Sequence, residues 1–202
     1  MQKFIAIGLF LFYTNDISKM KILFTFAIEE EVIDTHFSEH ETLGIITGIG
    51  KSNAALQLTK AIITHKPDYV VNIGTAGTLI HHRGEIFVCQ SFCDRDLEST
   101  RIPGIDFIIS ENSPLPPIAC FKRAFKRGMV NTGDQFITET SHLTGDVIDM
   151  EAYAEALVCK DFNTPFIAIK YISDIVGENS ISDWQSALSD ARKALTSFIQ
   201  NR

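Results

Sequence analysis

The chain has few basic residues, few prolines and no long apolar run. Its 202 residues include 18 Lys and Arg against 25 Asp and Glu, a formal net charge of −7, which excludes the broadly basic surface that binds nucleic-acid backbones. With 6 Pro and 12 Gly, the composition shows no collagen-like or low-complexity tract. The apolar stretch from Phe4 to Tyr13 is too short for a membrane-spanning helix. These absences leave small-molecule chemistry or protein binding as the broad functional classes, in a chain of single-domain length.

The cysteines show no metal-binding or disulfide pattern. There is no CxxC pair, and no His lies at zinc-ligand spacing from a Cys. Cys89 and Cys93 belong to the apolar run EIFVCQSFC and are interpreted as small core residues. Four thiols without a disulfide framework favour a reducing compartment, so we expect a cytoplasmic protein. The four are Cys89, Cys93, Cys120 and Cys159.

The N-terminal segment resembles a signal peptide in part. Lys3 precedes the apolar stretch Phe4–Tyr13, but no A-x-A cleavage site follows it. Met20 is followed by KILFTF, the pattern of a buried strand. We therefore expect residues 1–19 to be an N-terminal extension or a mis-assigned start, and residues 20–202 to form the functional domain.

Short apolar runs alternate with helical patterns over the rest of the chain. Several runs are apolar throughout, as in strands that are covered on both faces. This alternation predicts one α/β domain with a mixed, mostly parallel central sheet flanked by helices. We also expect Arg101–Pro117, which holds four of the six prolines, to be a surface loop. The predicted strands are Lys21–Phe26, Leu43–Thr47, Tyr69–Ile73, Glu85–Cys93, Met129–Thr132, Val147–Met150 and Phe166–Ile172; the predicted helices are Lys51–His65, Pro117–Arg127, Glu151–Phe162 and Asp183 to about Gln200, the last with Ser182 as N-cap.

Two glycine-rich turns follow predicted strands. The GIGKS turn at Gly48–Ser52 lacks Walker A spacing, because position 45 is Ile where that motif requires Gly. We interpret it as a tight strand-to-helix turn. The turn Gly74–Gly77 follows a buried strand, and ligands of open α/β sheets bind at the carboxyl ends of strands. This second turn is therefore a candidate ligand contact.

Three carboxylates also follow apolar strands. Glu31, Glu151 and Asp174 each end such a run, and strand ends of one sheet converge. Each alone could be an ordinary acidic residue at a helix N-terminus. Together, with no basic cluster or His beside them, they are unlike a nucleophilic triad and suit hydrolysis through an oxocarbenium-like transition state. A metal–carboxylate site is the alternative, but no DxD motif or His partner completes the ligand shell.

Six segments in order carry a resemblance to a known family. The combination of IGTAG, DMEA and ISD resembles the purine nucleoside phosphorylase/uridine phosphorylase superfamily, and within it the 5′-methylthioadenosine/S-adenosylhomocysteine nucleosidases. This resemblance implies cleavage of the N-glycosidic bond of an adenine nucleoside, without a metal or cofactor. The segments are AIEEEV at Ala27–Val32, GIGKSNAA at Gly48–Ala55, KPDYVVNIGTAG at Lys66–Gly77, NTGDQFI at Asn131–Ile137, VIDMEAYA at Val147–Ala154 and PFIAIKYISD at Pro165–Asp174.

The resemblance implies a role for each carboxylate. Asp174 occupies the position of the general acid that protonates purine N7, and Ser173 would orient it. Glu31 matches the residue that activates the attacking water, which leaves Glu29 and Glu30 as solvent-facing or structural. Glu151 matches the residue that holds the ribose hydroxyls. The resemblance further places Met150 against the ribose, Phe136 and the Ile137 backbone on the purine, Thr75 and Gly77 in the lining, and Ile28 and Ile181 around the 5′ substituent.

Charge favours water over phosphate as the nucleophile. A phosphorylase binds a phosphate dianion, usually through arginines. The hexameric phosphorylases carry an Arg where this chain has Asn72, and no Arg lies between Met20 and His82. A Glu31 carboxylate would also repel phosphate. A phosphorylase, or a relative that binds nucleosides without catalysis, is the alternative.

The chain departs from the family pattern at two kinds of position. The stretches from Glu31 to Gly48 and from Gly77 to Gly133 are shorter than expected. A more open pocket would accept a bulkier 5′ group, so 6-amino-6-deoxyfutalosine is a candidate substrate. Lys170 stands where close relatives are expected to have Arg, which keeps the charge but loses the planar fork. The family and apolar segments such as Phe107–Ile109 lead us to expect a homodimer.

Overall fold

The computed structural model describes residues 19–138, 143–177 and 180–201. Apart from Lys19, the predicted N-terminal extension lies outside these ranges. The strands are β1 (Lys21–Phe26), β2 (Glu41–Ile46), β3 (Tyr69–Thr78), β4 (Ile86–Asp94), β5 (Ile108–Ser110), β6 (Lys126–Thr132), β7 (Val147–Asp149) and β8 (Phe166–Ile175), and the helices are α1 (Lys51–His65), α2 (Arg95–Thr100), α3 (Ala152–Asp161) and α4 (Ser180–Ile199).

The described strands form one mixed sheet that curls back on itself. The strand order is β2-β1-β3-β7-β6-β4-β5, and β8 pairs with both β3 and β4. β8 therefore closes a ring with β3, β7, β6 and β4. Most pairs are parallel, whereas β3–β7, β4–β5 and β4–β8 are antiparallel. The predicted α/β domain with a mixed, mostly parallel sheet is confirmed.

Helices cover both faces of this sheet because its strands are apolar on both sides. α1 and α3 pack together over one face, where Leu58 and Ala156 join the core. α4 covers the other face, where Leu195 and Phe198 are buried. Among the described residues, no helix is long and apolar enough to cross a membrane.

The predicted helix Pro117–Arg127 is wrong. A short 3₁₀ turn spans Ala119–Lys122, and β6 already begins at Lys126. The apolar residues of this segment do not form a helical stripe, because Cys120, Phe121 and Phe125 pack separately into the core beneath α4. Long-range pairing with β4 then sets the start of β6.

Three smaller differences concern element ends and short elements. α4 begins at Ser180, so Ser182 lies inside the helix and is not its N-cap. The predicted loop Arg101–Pro117 contains β5, which pairs with β4. The short helix α2 was not predicted; Asp94 caps it by accepting hydrogen bonds from the backbone N–H groups of Asp96 and Leu97.

Candidate active site

The three predicted carboxylates meet at one cavity of about 300 Å³, within the range of small-molecule sites. Glu31 follows β1, Glu151 follows β7 and Asp174 lies near the end of β8. All three residues are only 3–6% exposed. Burying carboxylates is unfavourable unless they are paired or needed for chemistry. The remaining lining residues are Ala27, Ile28, Ile49, Thr75, Ala76, Gly77, Arg95, Gln135, Phe136, Ile137, Ile148, Asp149, Met150, Ser173, Val176 and Trp184.

The two carboxylate oxygens of Glu31 differ in their hydrogen bonding. It ends a 3₁₀ turn in which Glu29 and Glu30 are exposed. Its Oε1 accepts hydrogen bonds from the Thr75 backbone N–H at 2.8 Å and from Thr75 Oγ1 at 2.6 Å. Its Oε2 is buried and has no hydrogen-bond partner among the described residues. A Cβ at Gly74 would lie 3.2 Å from Oε2, so the glycine allows this close approach.

A β-bulge brings both Ser173 and Asp174 to the cavity. The β3–β8 register shifts between Ala76 and Gly77, which leaves Ser173 as the extra residue of β8. Consecutive residues of a regular strand point to opposite faces, and a bulge redirects one of them. Both residues consequently line the cavity.

Asp174 has the properties of a proton donor. Burial raises the pKa of its carboxyl group, although the hydrogen bond from Ser173 and the charge of Arg83 oppose that shift. Ser173 Oγ lies 2.8 Å from Asp174 Oδ1 and fixes the carboxyl orientation. A Cβ at Gly77 would lie 3.0 Å from Asp174 Oδ2. The raised pKa favours the protonated state that a general acid requires.

Two backbone N–H groups hold the Glu151 carboxylate, one at the start of α1 and one just before α3. Gly50 N, at the N-terminus of α1, donates to its Oε1 at 2.9 Å, and Met150 N donates to its Oε2 at 3.3 Å. Burial, followed by the nearby Asp149 carboxylate, raises the Glu151 pKa to about 8, while Lys170 opposes the shift. Gly50 has φ +91°, a conformation that favours glycine. The turn interpreted from GIGKS thus contributes a hydrogen bond to Glu151.

Lys170 is fully buried and forms an ion pair behind Glu151. Its Nζ lies 2.7 Å from Asp149 Oδ2. Asp149 also accepts hydrogen bonds from Thr132 Oγ1 at 2.6 Å and from the Ala152 N–H at 3.1 Å. Burial alone would lower the Lys170 pKa, but Asp149 and Glu151 outweigh it and raise the pKa. Lys170 is therefore protonated and ion-paired with Asp149.

Arg95 organises the loop that carries Phe136. Its two terminal nitrogens donate to backbone carbonyl groups on β6, on β7 and in this loop. Phe136 itself is 38% exposed at the rim of the cavity. The acceptors are the carbonyl oxygens of Asn131 (3.0 Å), Asp149 (2.9 Å), Gly133 (2.8 Å) and Gln135 (2.5 Å).

Most of the predicted contact residues line the cavity, and one does not. Ile181 is outside the lining and is 53% exposed. Trp184, about one turn further along α4, is the residue of this helix that lines the cavity. The predicted residues that do line the cavity are Ile28, Thr75, Gly77, Phe136, Ile137, Met150 and Ser173.

Sequence reasoning did not assign nine of the lining residues to the site, and three of these make side-chain hydrogen bonds or an ion pair that shape it: Trp184, Arg95 and Asp149. Trp184 lies near the start of the predicted helix that begins at Asp183 and was not assigned to the site, although a lone Trp at a helix start, with its polar N–H, was a usable signal. Arg95, between two Asp residues after an apolar strand, was another. Asp149 precedes Met150 in the DME motif and was not considered. In the described parts of the chain, no group of three or more His, Cys, Asp or Glu could hold a metal ion.

Comparisons with known proteins give the family and the fold of the chain. The family model described as the phosphorylase superfamily matches residues 33–201. The 5′-methylthioadenosine/S-adenosylhomocysteine nucleosidase of Bacillus cytotoxicus is 29% identical, and the match covers 79% of this chain and 79% of that protein. A Helicobacter pylori nucleosidase of the same description, solved with butyl-thio-DADMe-Immucillin-A, superposes with a TM-score of 0.79 at 21% identity, covering 91% of this chain and 97% of that chain. The native futalosine hydrolase of H. pylori gives a TM-score of 0.77 at 21% identity, covering 90% and 96%.

Proposed function

The chain belongs to the phosphorylase superfamily, and we propose that it hydrolyses the N-glycosidic bond of an adenine nucleoside and releases adenine. The observation that carries this proposal is the convergence of three buried carboxyl groups, Glu31, Glu151 and Asp174, on one cavity. Their environments differ, and different environments give carboxyl groups different tasks in acid–base chemistry.

Asp174 is the proposed general acid. Its proton passes to N7 of the purine, and the bonding electrons between the ribose C1′ and N9 move to the base, which leaves as neutral adenine. The raised pKa of the buried carboxyl group keeps the proton available. Ser173, hydrogen-bonded to Asp174 Oδ1, holds the carboxyl group toward the base.

Glu31 is the proposed base for water. Thr75 occupies its Oε1 with two hydrogen bonds, so the buried Oε2 is the oxygen available to accept a proton from water. The water oxygen forms a bond to C1′, its proton passes to Glu31, and the products are adenine and a free 5-substituted ribose. Solvent then reprotonates Asp174 and deprotonates Glu31.

Glu151 is the proposed ribose anchor. Hydroxyl donors from the ribose and the positive charge that develops at C1′ both stabilise the ionised carboxylate against the burial that raises its pKa to about 8. Met150 lies beside it in the lining. Phe136 stacks on the purine, and the Ile137 backbone hydrogen-bonds its edge.

The charges around the cavity support water rather than phosphate. Arg95 is the only Lys or Arg among the described lining residues, and its terminal nitrogens are already bonded to carbonyl oxygens. Lys170 is paired with Asp149. A phosphate dianion would meet the Glu31 carboxylate without a free cation to balance it.

The substrate class follows from the relatives and from the open side of the cavity. The relatives' descriptions name 5′-methylthioadenosine and S-adenosylhomocysteine and futalosine. Ile28 and Ile49 line the cavity, and Ile49 is 45% exposed, so a bulky 5′ group can extend past it. We propose 5′-methylthioadenosine, S-adenosylhomocysteine and 6-amino-6-deoxyfutalosine as substrates.

The test is release of adenine from each of these three nucleosides in phosphate-free buffer. The proposal expects turnover of at least one of them. Release only after phosphate addition would identify a phosphorylase. No release, despite nucleoside binding measured by calorimetry, would identify a non-catalytic binding protein.

We further propose that the protein is a homodimer and is cytoplasmic. Ile108, within the predicted segment Phe107–Ile109, and the nearby Ile102 and Ile105 are exposed apolar residues, and a second copy would cover them. The four cysteines are buried and unpaired, as suits a reducing compartment. Light scattering at micromolar concentration tests the assembly, and a monomer would contradict it.

A further inference from the structure

The single tryptophan of the chain is hydrogen-bonded to the proposed base through one intervening residue. Trp184, in the second turn of α4, donates from Nε1 to Thr75 Oγ1 at 2.9 Å. Thr75 Oγ1 in turn lies 2.6 Å from Glu31 Oε1. Three residues from α4, β3 and the turn after β1 therefore form one continuous chain of hydrogen bonds.

The chemistry of the three groups fixes the direction of this chain. An indole N–H only donates, whereas a hydroxyl has one hydrogen and two lone pairs. With a lone pair of Thr75 Oγ1 taken by Trp184, its hydrogen points to the carboxylate of Glu31. Hydrogen bonds in such a series polarise and strengthen one another.

We propose that Trp184 is a positioning residue for Glu31: through Thr75 it holds Oε1, so that the unpartnered Oε2 faces the attacking water. This inference rests on the proposed function, because it gives Glu31 the role of base. Trp184 is not one of the three carboxylate residues from which the function is proposed. Because it lies on α4, the packing of this helix would help to set the orientation of Glu31.

A simpler role for Trp184 is that of a wall. Its ring lies 6.3 Å from that of Phe136, with the two planes at 59°, and both line the cavity. A wall contributes through its aromatic face, so Trp184→Phe would preserve it while removing the N–H. If Trp184 positions Glu31, Trp184→Phe should lower kcat with little change in KM. If Trp184 only packs against the substrate, its substitution should leave kcat unchanged, and any loss of that packing should raise KM.

The experiment is a double-mutant cycle of Trp184→Phe and Thr75→Val. Because Trp184→Phe removes one neutral hydrogen bond, kcat should fall about three- to tenfold. KM should stay within about twofold of the wild-type value. In the Thr75→Val background, Trp184→Phe should cause no further loss, because the chain is already broken. Thr100→Val is the matched control, since Thr100 is exposed at the end of α2 and its hydroxyl donates to the Leu97 carbonyl, and it should keep wild-type kcat.

A second readout needs no activity. A ¹⁵N-labelled protein gives one indole N–H signal, because there is one tryptophan. That signal should move upfield in Thr75→Val and stay in place in Thr100→Val. An unmoved signal, wild-type kcat in Trp184→Phe, or additive losses in the cycle would overturn the proposal. If the wild-type protein releases no adenine, the proposed function fails instead, and the indole signal still tests the hydrogen bond.

Discussion

Asp174→Asn removes the proposed proton donor with little change of shape. The asparagine Oδ1 can still accept the hydrogen bond from Ser173, which is 2.8 Å long in the wild type. The side chain remains near Gly77 and keeps its buried position. Purine binding and the fold should therefore survive, while the proton for N7 is lost.

The expected loss follows from the contribution of general acids. Positioned acids contribute roughly 10²–10⁴-fold to rate, so kcat for adenine release should fall by at least about 10². In the wild type, kcat should decline as pH rises through the raised Asp174 pKa, because the acid loses its proton. Asp174→Asn should lack this limb of the profile.

Asp174→Asn should lower activity but should not lower the thermal stability of the protein at neutral pH. A carboxyl group whose folded pKa is raised makes the folded state lose stability as pH rises above the unfolded pKa of about 4. Asp174→Asn lacks this penalty, so its melting temperature should equal or exceed that of the wild type at pH 7, with the difference vanishing below pH about 4. Circular dichroism and single-turnover adenine release measure both effects.

A matched control is Asp190→Asn, an exposed carboxylate that pairs with Lys193 in α4. It should retain wild-type kcat. Wild-type turnover in Asp174→Asn would refute the assignment of Asp174, and loss of the fold in that variant would show that its carboxylate is structural.

The other site residues give separable outcomes. Glu31→Gln should keep nucleoside affinity and lower single-turnover rate by about 10² or more, and a loss of affinity with an unchanged rate would contradict its role as base. Glu151→Gln should weaken ribonucleoside binding by roughly ten- to a hundredfold and weaken a 2′-deoxy substrate less; equal losses for both substrates would contradict a contact with the hydroxyl. Gly77→Ala, whose Cβ would lie 3.0 Å from Asp174 Oδ2, should displace the acid and lower kcat about tenfold or more with a folded protein; wild-type kcat would show that the carboxyl position is not critical.

The sequence predicts the elements whose signals are local. α1 has the predicted bounds Lys51–His65, because its apolar spacing is helical and Lys66–Pro67 ends it. The carboxylates Glu31, Glu151 and Asp174 could be found because each interrupts an apolar pattern at a strand end. The strands β1 and β8 run parallel to β3 and bring Glu31 and Asp174 to one edge, whereas β7, which precedes Glu151, reaches the end of β3 in the antiparallel direction. These two kinds of signal establish the fold class and the centre of the candidate site.

What the sequence does not predict depends on distant partners. β6 begins with the exposed residues Lys126 and Arg127, and only pairing with β4 makes that segment a strand. Four acceptors of Arg95 are backbone carbonyl groups, which carry no sequence signal. The apolar stripe of α4 does not distinguish a core position from a cavity wall, so neither the inward place of Trp184 nor the outward place of Ile181 followed from spacing.

The central claim is that water attacks the ribose, and the sugar product tests it directly. The wild-type protein is incubated with 5′-methylthioadenosine in phosphate buffer and in phosphate-free buffer, and the products are identified by mass spectrometry and ³¹P NMR. We predict adenine and free 5-methylthioribose at the same rate in both buffers, with no phosphate ester. A ribose 1-phosphate product, or a rate that depends on phosphate concentration, would contradict the account.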